Sequence, residues 1–222
     1  MNTVAVVSDK GGTGKSTFAT ELATQASALA PTLVIDTDPQ ASVKRWSARR
    51  PAQLTRPKCL VSTALKLPEH VADARRARFE WTIIDTASGA PLAAKAAVEA
   101  ADAVLIPIKA DLSNFEGIIK TVQMVRSYGK MYGIFINDAP AKRDGREGPL
   151  VREIRCKMHE EQYRAHFGRY LWNEQITGRN VVPTALNKGL GIIEVATDAR
   201  AEEEFRSLWT AMIHLLQVGG MR

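Results

Sequence analysis

The 222-residue sequence contains no apolar run near the roughly 18 residues that a membrane-spanning helix needs. Cysteine is also scarce, because only Cys59 and Cys156 occur and neither has metal-ligand spacing around it. A disulfide framework is therefore not expected. The first ten residues show no basic region leading into a hydrophobic signal core. These absences predict a cytoplasmic protein that has no membrane partner.

The composition is that of an ordinary globular chain, with 45% apolar and 24% charged residues. The length suits one α/β domain with a sizeable core. No repeat, low-complexity tract or linker divides the chain, so we expect a single domain over residues 1–222.

Short apolar runs rich in valine and isoleucine alternate with helical segments along the chain. The runs are continuous rather than alternating, which is typical of parallel strands buried on both faces. Helices are predicted at 16–30, at 91–100, after Asn114 and near the C-terminus, where an apolar stripe is expected to lie in the core. The pattern predicts a doubly wound α/β fold with a mostly parallel sheet flanked by helices. The predicted strands contain residues 4–7, 33–35, 81–84, 103–106 and 133–136.

A glycine-rich loop, residues 10–17, follows the first run and opens the first predicted helix. Glycines let successive backbone N–H groups turn towards a phosphate, and the helix N-terminus adds the positive end of its dipole. Lys15 is expected to contact the β- and γ-phosphates, and the Ser16 hydroxyl to contact Mg²⁺. Ser8 stands where the general phosphate-loop pattern has its first glycine.

Three carboxylates, Asp36, Asp38 and Asp85, come at the ends of the second and third predicted strands. Ligands of open α/β sheets bind beyond the carboxyl ends of the strands, where these side chains are expected to meet. Carboxylates there can support Mg²⁺ through water or orient an attacking water molecule. Each aspartate alone could equally be a helix N-cap.

Positive charge is concentrated between Lys44 and Arg78, although the whole chain carries only +6. This stretch holds ten Lys or Arg residues against Glu69 and Asp73, so its net charge is 10 − 2 = +8. Such a surface attracts polyanions, of which DNA is the obvious candidate, or it is a solvated face that aids solubility. We predict that Arg75, Arg76 and Arg78 bind DNA. The alternative is that this stretch faces a protein partner or solvent, and that Lys142, Arg143, Arg152 and Arg155 bind DNA instead.

Several of these segments resemble the ParA/MinD family of ATPases. Residues 10–17, KGGTGKST, are similar to that family's deviant Walker A motif, KGGxGK[ST][ST]. Asp36–Gln40 resembles its second motif, Ile83–Asp85 its Walker B strand, and Ile106–Ile108 and Asn137 its later strands. The similarity extends over nearly the whole chain and is greatest to the small ParA proteins of plasmid partition. Thr86-Ala87-Ser88 departs from the Thr-Pro that commonly follows Walker B, and Ser8-Asp9 precedes the first lysine.

The resemblance implies roles for individual residues. Lys10 would be the signature lysine that reaches the partner's phosphates in a nucleotide-sandwich homodimer, and Asp38 would orient the water. Ser16, Asp36 and Asp85 would support Mg²⁺, Thr17 would contact the α-phosphate, and Asn137 would lie near the adenine or be a turn residue. The implied catalytic residues are Lys10, Lys15 and Asp38, and the implied nucleotide-binding residues are Gly11, Gly12, Thr13, Gly14, Lys15, Ser16, Thr17 and Asn137.

The implied function is that of a DNA-partition ATPase that binds ATP/ADP and Mg²⁺ and associates with the nucleoid. Its dimer would bind non-specific DNA and be reset when a centromere-binding ParB-type partner stimulates hydrolysis. Alternatives within the family are a MinD-like membrane-cycling regulator and a ParA-like positioner of a protein cargo. A biosynthetic P-loop enzyme would need cysteine clusters or substrate motifs that the sequence does not show.

Overall fold

The computed structural model describes residues 1–112, 115–195 and 197–219. The strands in these ranges are β1 (Asn2–Val6), β2 (Thr32–Asp36), β3 (Lys58–Val61), β4 (Trp81–Asp85), β5 (Ala103–Lys109), β6 (Met131–Ala139) and β7 (Leu171–Thr177). The α-helices are α1 (Lys15–Leu29), α2 (Ser42–Ala48), α3 (Leu67–Arg76), α4 (Pro91–Ala100), α5 (Phe115–Ser127), α6 (Pro149–His159), α7 (Glu161–Phe167), α8 (Val181–Asn187) and α9 (Ala199–Gly219). Short 3₁₀ turns occupy Gly168–Tyr170 and Ile192–Glu194.

The strands form one parallel sheet in the order β3-β2-β4-β1-β5-β6-β7. All residues of β2 and β4 are buried, as expected for strands covered on both faces. Asp85 lies beside both Asp36 and Val6 in the register of the sheet. The end of β1 and the two acidic strand ends therefore meet at the carboxyl edge.

Alternation along the buried strands divides the apolar residues between two cores, one on each face. Val4 and Val6 face the core that contains α1, α2, α8 and α9, whereas Ala5 and Val7 face the core that contains α3 to α7. Burial on both faces is what a doubly wound sheet requires. The predicted fold class is confirmed.

Two strands were not predicted, and both lie at an edge of the sheet. β3, with the sequence KCLV, exposes its two end residues, and β7, with the sequence LWNEQIT, lacks a continuous apolar run. An edge strand meets a neighbour on one side only, so burial imposes a weaker apolar pattern on it.

The apolar stripe of the C-terminal helix α9 faces the core, because Phe205, Leu208 and Met212 are fully buried. The prediction that this stripe belongs to the core is therefore confirmed. The predicted start of α5 after Asn114 fits its first helical residue, Phe115, although Asn114 itself lies outside the described residues. Among the described helices, none combines the length and the apolar character that would let it cross a membrane.

Candidate nucleotide-binding site

The glycine-rich loop connects β1 to α1 and presents the start of that helix at the carboxyl edge. Gly14, immediately before α1, has φ +100°, and a Cβ on it would lie 2.2 Å from Asn137 Nδ2. Asn137 in turn donates a hydrogen bond of 2.8 Å from Nδ2 to the Thr13 carbonyl. Only glycine satisfies both the backbone angle and this close approach. Asn137 therefore holds the loop in the folded protein.

Lys15 is held over this loop by neutral partners. Its Nζ donates to the Lys10 carbonyl at 3.0 Å and to the Ser88 hydroxyl at 2.5 Å. Burial lowers the pKa of Lys15 from its usual 10.5, and the carboxylates of Asp85 and Asp38 oppose that shift. The two hydrogen-bond partners of the ammonium are neutral, so an incoming phosphate that replaced them would gain a charge-assisted contact.

Ser88 is a site residue that the motifs did not indicate. It lies in the loop after β4, and its hydroxyl contacts both Lys15 and the Lys10 carbonyl. The sequence feature that could have indicated Ser88 is the departure of Thr86-Ala87-Ser88 from the Thr-Pro pattern. That departure places a hydrogen-bonding side chain beside Lys15.

Asp85 forms the most deeply buried polar contact of the site. Its Oδ2 accepts a hydrogen bond of 2.6 Å from the Ser16 hydroxyl, and its Oδ1 has no hydrogen-bond partner among the described residues. Burial raises the pKa of Asp85 to about 7; Asp36 and Asp38 raise it further, whereas Ser16 and Lys15 lower it. An orphaned buried carboxylate oxygen beside a hydroxyl is a combination that a hard divalent cation would satisfy.

The described residues contain no cluster of three or more His, Cys, Asp or Glu side chains that could hold a metal by themselves. A magnesium ion at Ser16 and Asp85 would therefore complete its coordination with phosphate oxygens and water, as Mg²⁺ commonly does. The residues fit a cation that arrives with a nucleotide.

Asp36 is the last residue of β2, and Asp38 lies on the tight loop that follows it. Asp36 is fully buried, and its two carboxylate oxygens accept hydrogen bonds of 3.0 Å from the amides of Asp38 and Lys44. Burial raises the pKa of Asp36, and these amide hydrogen bonds lower it. Asp36 thus shapes the loop that carries Asp38, and its assignment to magnesium stays a prediction. Asp38 is half-buried, its Oδ1 accepts a hydrogen bond of 2.8 Å from the Gln40 amide, and its charge acts on Lys15.

The Lys10 side chain points away from the phosphate loop and forms an ion pair with Asp111. Both side chains are about two-fifths exposed, at 37% and 40%. The ion pair links the loop to the segment after β5 at the protein surface. Asp111 was not predicted, since a single aspartate after a strand carries no distinctive pattern.

A cavity of about 190 Å³ adjoins the loop on the side of Asn137. Lys109 and Asp138 form an ion pair of 2.8 Å at its wall. Its position beside the phosphate loop makes it the candidate pocket for the base and ribose. The remaining residues that line it are Gly12, Gly14, Thr17, Asn137, Ile176, Thr177, Gly178, Arg179, Val182 and Pro183.

The three arginines predicted to bind DNA lie far from this site. Arg75 and Arg76 are the last two residues of α3, and Arg78 comes three residues before Trp81, where β4 begins. All three therefore lie at the amino edge of the sheet. Asp85 lies four residues beyond Trp81, the first residue of β4. At the usual rise per strand residue this separation is roughly 13 Å. The three side chains are exposed, and Arg76 pairs with Asp73.

Two other basic residues that the sequence suggested for polyanions point inwards instead. Arg50 has a side chain that is 5% exposed and pairs with Glu194. Arg155 pairs with Glu147 and donates to two carbonyls of β7. Neither is available to a phosphate backbone.

A second basic surface lies at the carboxyl edge, after β6. Residues 142–146 contain a tight hairpin, in which Arg143 and Arg146 exchange backbone hydrogen bonds of 3.0 and 2.8 Å across a two-residue turn. We call these residues the basic hairpin, whose exposed cations are Lys142, Arg143 and Arg146.

The chain was compared with protein families and with known proteins. Residues 4–155, more than half of the chain, match the family described as the CobQ/CobB/MinD/ParA nucleotide binding domain. A curated relative, "Maintenance of carboxysome distribution protein A" from Gloeobacter kilaueensis, is 32% identical over 127 residues, which are 54% of this chain and 54% of the relative. The chain therefore matches about half the length of this curated relative.

Two solved structures share the fold at low sequence identity. The apo structure of McdA from Cyanothece has a TM-score of 0.78 at 20% identity and covers 96% of this chain and 99% of its own. The Mg-ADP complex of the septum site-determining protein MinD from Pyrococcus horikoshii has a TM-score of 0.71 at 15% identity and covers 98% of both chains. Together with the match over residues 4–155, the sequence motifs and the parallel sheet, these findings mean that the chain belongs to the MinD/ParA family of nucleotide-binding P-loop ATPases.

Proposed function

We propose that this protein is a ParA-like positioning ATPase, which binds and hydrolyses ATP with Mg²⁺ as a homodimer and uses that cycle to position a protein cargo. The observation that carries the proposal is the pairing of two lysines on one loop with a buried hydroxyl–carboxylate pair. Among the described residues, Lys15 donates hydrogen bonds to a carbonyl and a hydroxyl, and Asp85 keeps one orphaned oxygen.

Each residue then has a task in phosphoryl transfer. Lys15 binds the β- and γ-phosphates, Ser16 and Asp85 hold the magnesium, and Thr17 contacts the α-phosphate. Bound Mg²⁺ would neutralise charge on the phosphate oxygens. Asp38 orients the attacking water, and positioning of this kind matters most in the transition state.

Exposed aliphatic side chains at the carboxyl edge support a dimer. Leu65 is 94% exposed, Leu92 75% and Leu150 56%, and they follow β3, β4 and β6 respectively. The three are spread along that edge, because β3 and β6 stand five positions apart in the strand order. A second copy docked on that edge would cover them and would bring its Lys10 to the nucleotide of the first.

Dimerisation through Lys10 makes a direct test. Asp38→Ala slows turnover, so this variant should accumulate as a dimer when ATP and Mg²⁺ are added, measured by light scattering. Adding Lys10→Ala to it should leave a monomer, whereas adding Lys95→Ala, at an exposed lysine of α4, should not. A dimer that persists without Lys10 would contradict the sandwich arrangement.

A protein cargo is supported by the curated relative, which is named for carboxysome distribution. The partition of DNA remains the second candidate, since the family includes ParA proteins. The apolar stripe of α9 packs into the core, where it stabilises the fold, and this supports the positioner over a MinD-like membrane cycle. Purified cargo complexes would distinguish the two candidates: a protein assembly favours the first, and a bound replicon favours the second.

Non-specific DNA is the proposed matrix on which the ATP-bound dimer rests, which would associate the protein with the nucleoid. The geometry favours the basic hairpin over Arg75, Arg76 and Arg78, because the hairpin shares the carboxyl edge with the nucleotide site. Two copies that meet on that edge would join their hairpins into one surface, and linked sites gain affinity through effective concentration. DNA binding would then depend on ATP, because ATP favours the dimer.

Mobility shifts on two unrelated duplexes, at several salt concentrations with and without ATP, test the DNA surface. Reversing the charge of Lys142, Arg143 and Arg146 should weaken both complexes about equally and flatten the salt dependence by roughly one unit of log–log slope per lost contact. Reversing Arg75, Arg76 and Arg78 is the matched control. A larger loss in the control would return the DNA surface to α3, and no ATP-dependent shift in the wild type would remove DNA as the matrix.

A further inference from the structure

A short segment, residues 188–194, joins the base side of the nucleotide site to α2. It follows α8, whose Val182 and Pro183 line the base cavity. Gly189 in this segment has φ +72°, and a Cβ there would lie 2.4 Å from the Arg49 carbonyl carbon and 2.4 Å from the Arg50 amide nitrogen. The two backbones are therefore in contact at a position that only glycine can occupy.

Arg50 fastens this contact from the end of α2. Its guanidinium donates to the Gly189 carbonyl at 2.9 Å and to the two carboxylate oxygens of Glu194 at 3.0 and 2.7 Å. A further hydrogen bond of 2.5 Å goes to the Arg56 carbonyl. The side chain is 5% exposed, and its Nε lacks a partner among the described residues.

Trp46 of α2 and Arg49, which follows that helix, contact the same part of the chain. Trp46 is buried and donates from Nε1 to the Leu190 carbonyl at 3.2 Å, and the Arg50 guanidinium lies 4.7 Å from its ring centre. Arg49 donates to the carbonyl of Leu186, within α8, at 3.3 Å. The end of α2 is thus tied to α8 and to segment 188–194 at several points.

The other end of α2 leads to the catalytic loop. The Lys44 amide, in the first turn of α2, donates to Asp36, which also binds the Asp38 amide. A displacement of α2 therefore moves the loop on which Asp38 lies. Seven residues of helix, roughly 10 Å long, separate the two ends.

We infer that Arg50 is a positioning residue that couples the base side of the nucleotide site to the Asp38 loop. The inference rests on the proposed function for the role of Asp38 in hydrolysis. Arg50 keeps α2 in register with α8, so that occupation of the base cavity is transmitted to the loop that orients water.

Stability alone does not account for this arrangement. A buried arginine–glutamate pair contributes little net stability compared with well-packed apolar side chains, and a buried Nε without a partner adds a further cost. What the guanidinium supplies is geometry, because its fork holds two carboxylate oxygens and two carbonyls in one orientation.

Arg50→Gln tests the coupling through two measurements on the full chain. Calorimetric titration with ADP should show a dissociation constant within about twofold of the wild type, while ATP turnover should fall by about three- to thirty-fold, the usual range for coupling changes. In hydrogen exchange, ADP should protect residues 41–48 in the wild type and protect them much less in the variant. Lys95→Ala, at an exposed lysine of α4 outside this chain of contacts, is the control and should retain that protection.

The double variant Arg50→Gln/Glu194→Gln removes both charges, so it leaves no unpaired buried ion if the single variant folds poorly. It should show the same loss of turnover and of ADP-linked protection. Turnover and protection at the wild-type level, or a dissociation constant that rises in step with the loss of turnover, would overturn the inference. If the wild type does not hydrolyse ATP, the proposed function fails, whereas the exchange experiment with ADP still decides the coupling.

Discussion

On its phosphate side the nucleotide site is built from one continuous loop and two strand ends, whereas its base side is assembled from several segments that are distant in sequence. Lys10, Lys15 and Ser16 lie within seven residues of one another, and the Ser16 hydroxyl contacts Asp85. The base cavity instead takes its lining from the loop, from the end of β6 and from residues 176–183.

The two sides are also stabilised differently. Buried carboxylates with raised pKa values crowd the phosphate side, where Asp85 keeps an oxygen orphaned among the described residues. On the base side Arg179 pairs with Glu204, and that carboxylate also accepts hydrogen bonds from the amide and hydroxyl of Thr177. The phosphate side leaves polar groups for a ligand, and the base side uses its polar groups to hold the chain together.

The strongest contrast is expected at Asp38, on the phosphate side. Asp38→Ala should lower the turnover of ATP by roughly two to three orders of magnitude while the dissociation constant changes little, because orienting water matters in the transition state. Single-turnover hydrolysis and calorimetry would separate the two effects. If binding collapses while turnover of the bound nucleotide persists, Asp38 belongs to the binding site.

Lys15 is expected to dominate the binding of the nucleotide itself. Lys15→Ala should weaken ATP affinity about a hundredfold, the usual value of a lost charge-assisted hydrogen bond to phosphate, and should leave the fold intact. Lys95→Ala removes an exposed lysine and should change nothing. Undiminished ATP affinity in the Lys15 variant would contradict the assignment of the loop.

Glu204 tests whether the base side is stabilised by its ion pairs. Glu204→Ala should lower the free energy of unfolding by about 2–3 kcal/mol, because it leaves two groups of Thr177 without their acceptor and removes one of the two carboxylates that pair with Arg179. Glu202→Ala on the same helix removes an exposed i,i+4 pair with Arg206 and should cost no more than about 0.5 kcal/mol. Urea denaturation measures both, and equal losses would contradict the contrast.

The buried carboxyl of Glu21, which accepts hydrogen bonds from the Ile192 amide, is expected to make the stability of the protein depend on pH. Burial raises the pKa of this fully buried carboxyl from 4.5 to about 8, Glu194 raises it further, and the hydrogen bond from the Ile192 amide lowers it. Because the folded protein keeps a proton that the unfolded chain loses, this group should reduce stability as the pH rises from about 4.5 to 8, by up to about 1.4 kcal/mol per pH unit.

Glu21→Gln should remove that decline, since an amide oxygen can still accept from Ile192 but does not ionise in this range. Unfolding free energies at half-unit intervals of pH, for the variant and the wild type, provide the measurement. Parallel curves would mean that Glu21 titrates normally in the folded protein.

The amino-acid sequence predicted that the loop of residues 10–17 and the acidic ends of β2 and β4 come together, and the structure places them at one edge of the sheet; their roles in binding and hydrolysis stay predictions. Glycines in a loop between an apolar strand and a helix, with acids at neighbouring strand ends, specify local geometry that a parallel sheet then brings together. Continuous valine- and isoleucine-rich runs predicted the five buried strands for the same reason, since burial on both faces leaves a pattern in every residue. The expectation of an apolar core stripe in α9 was confirmed through Phe205, Leu208 and Met212.

Only the tertiary structure decided the rest. Edge strands β3 and β7 carry a weak pattern because one side of each is unpaired, and Ser88, Asp111 and Glu204 act through partners that are distant in sequence. Arg50 and Arg155 belong to a chain with many exposed cations, and composition cannot distinguish a buried arginine from a solvated one. The net charge of a segment can be counted from the sequence. The contact that a charged side chain makes depends on which surface of the folded protein it faces, and packing between segments far apart in sequence sets that surface.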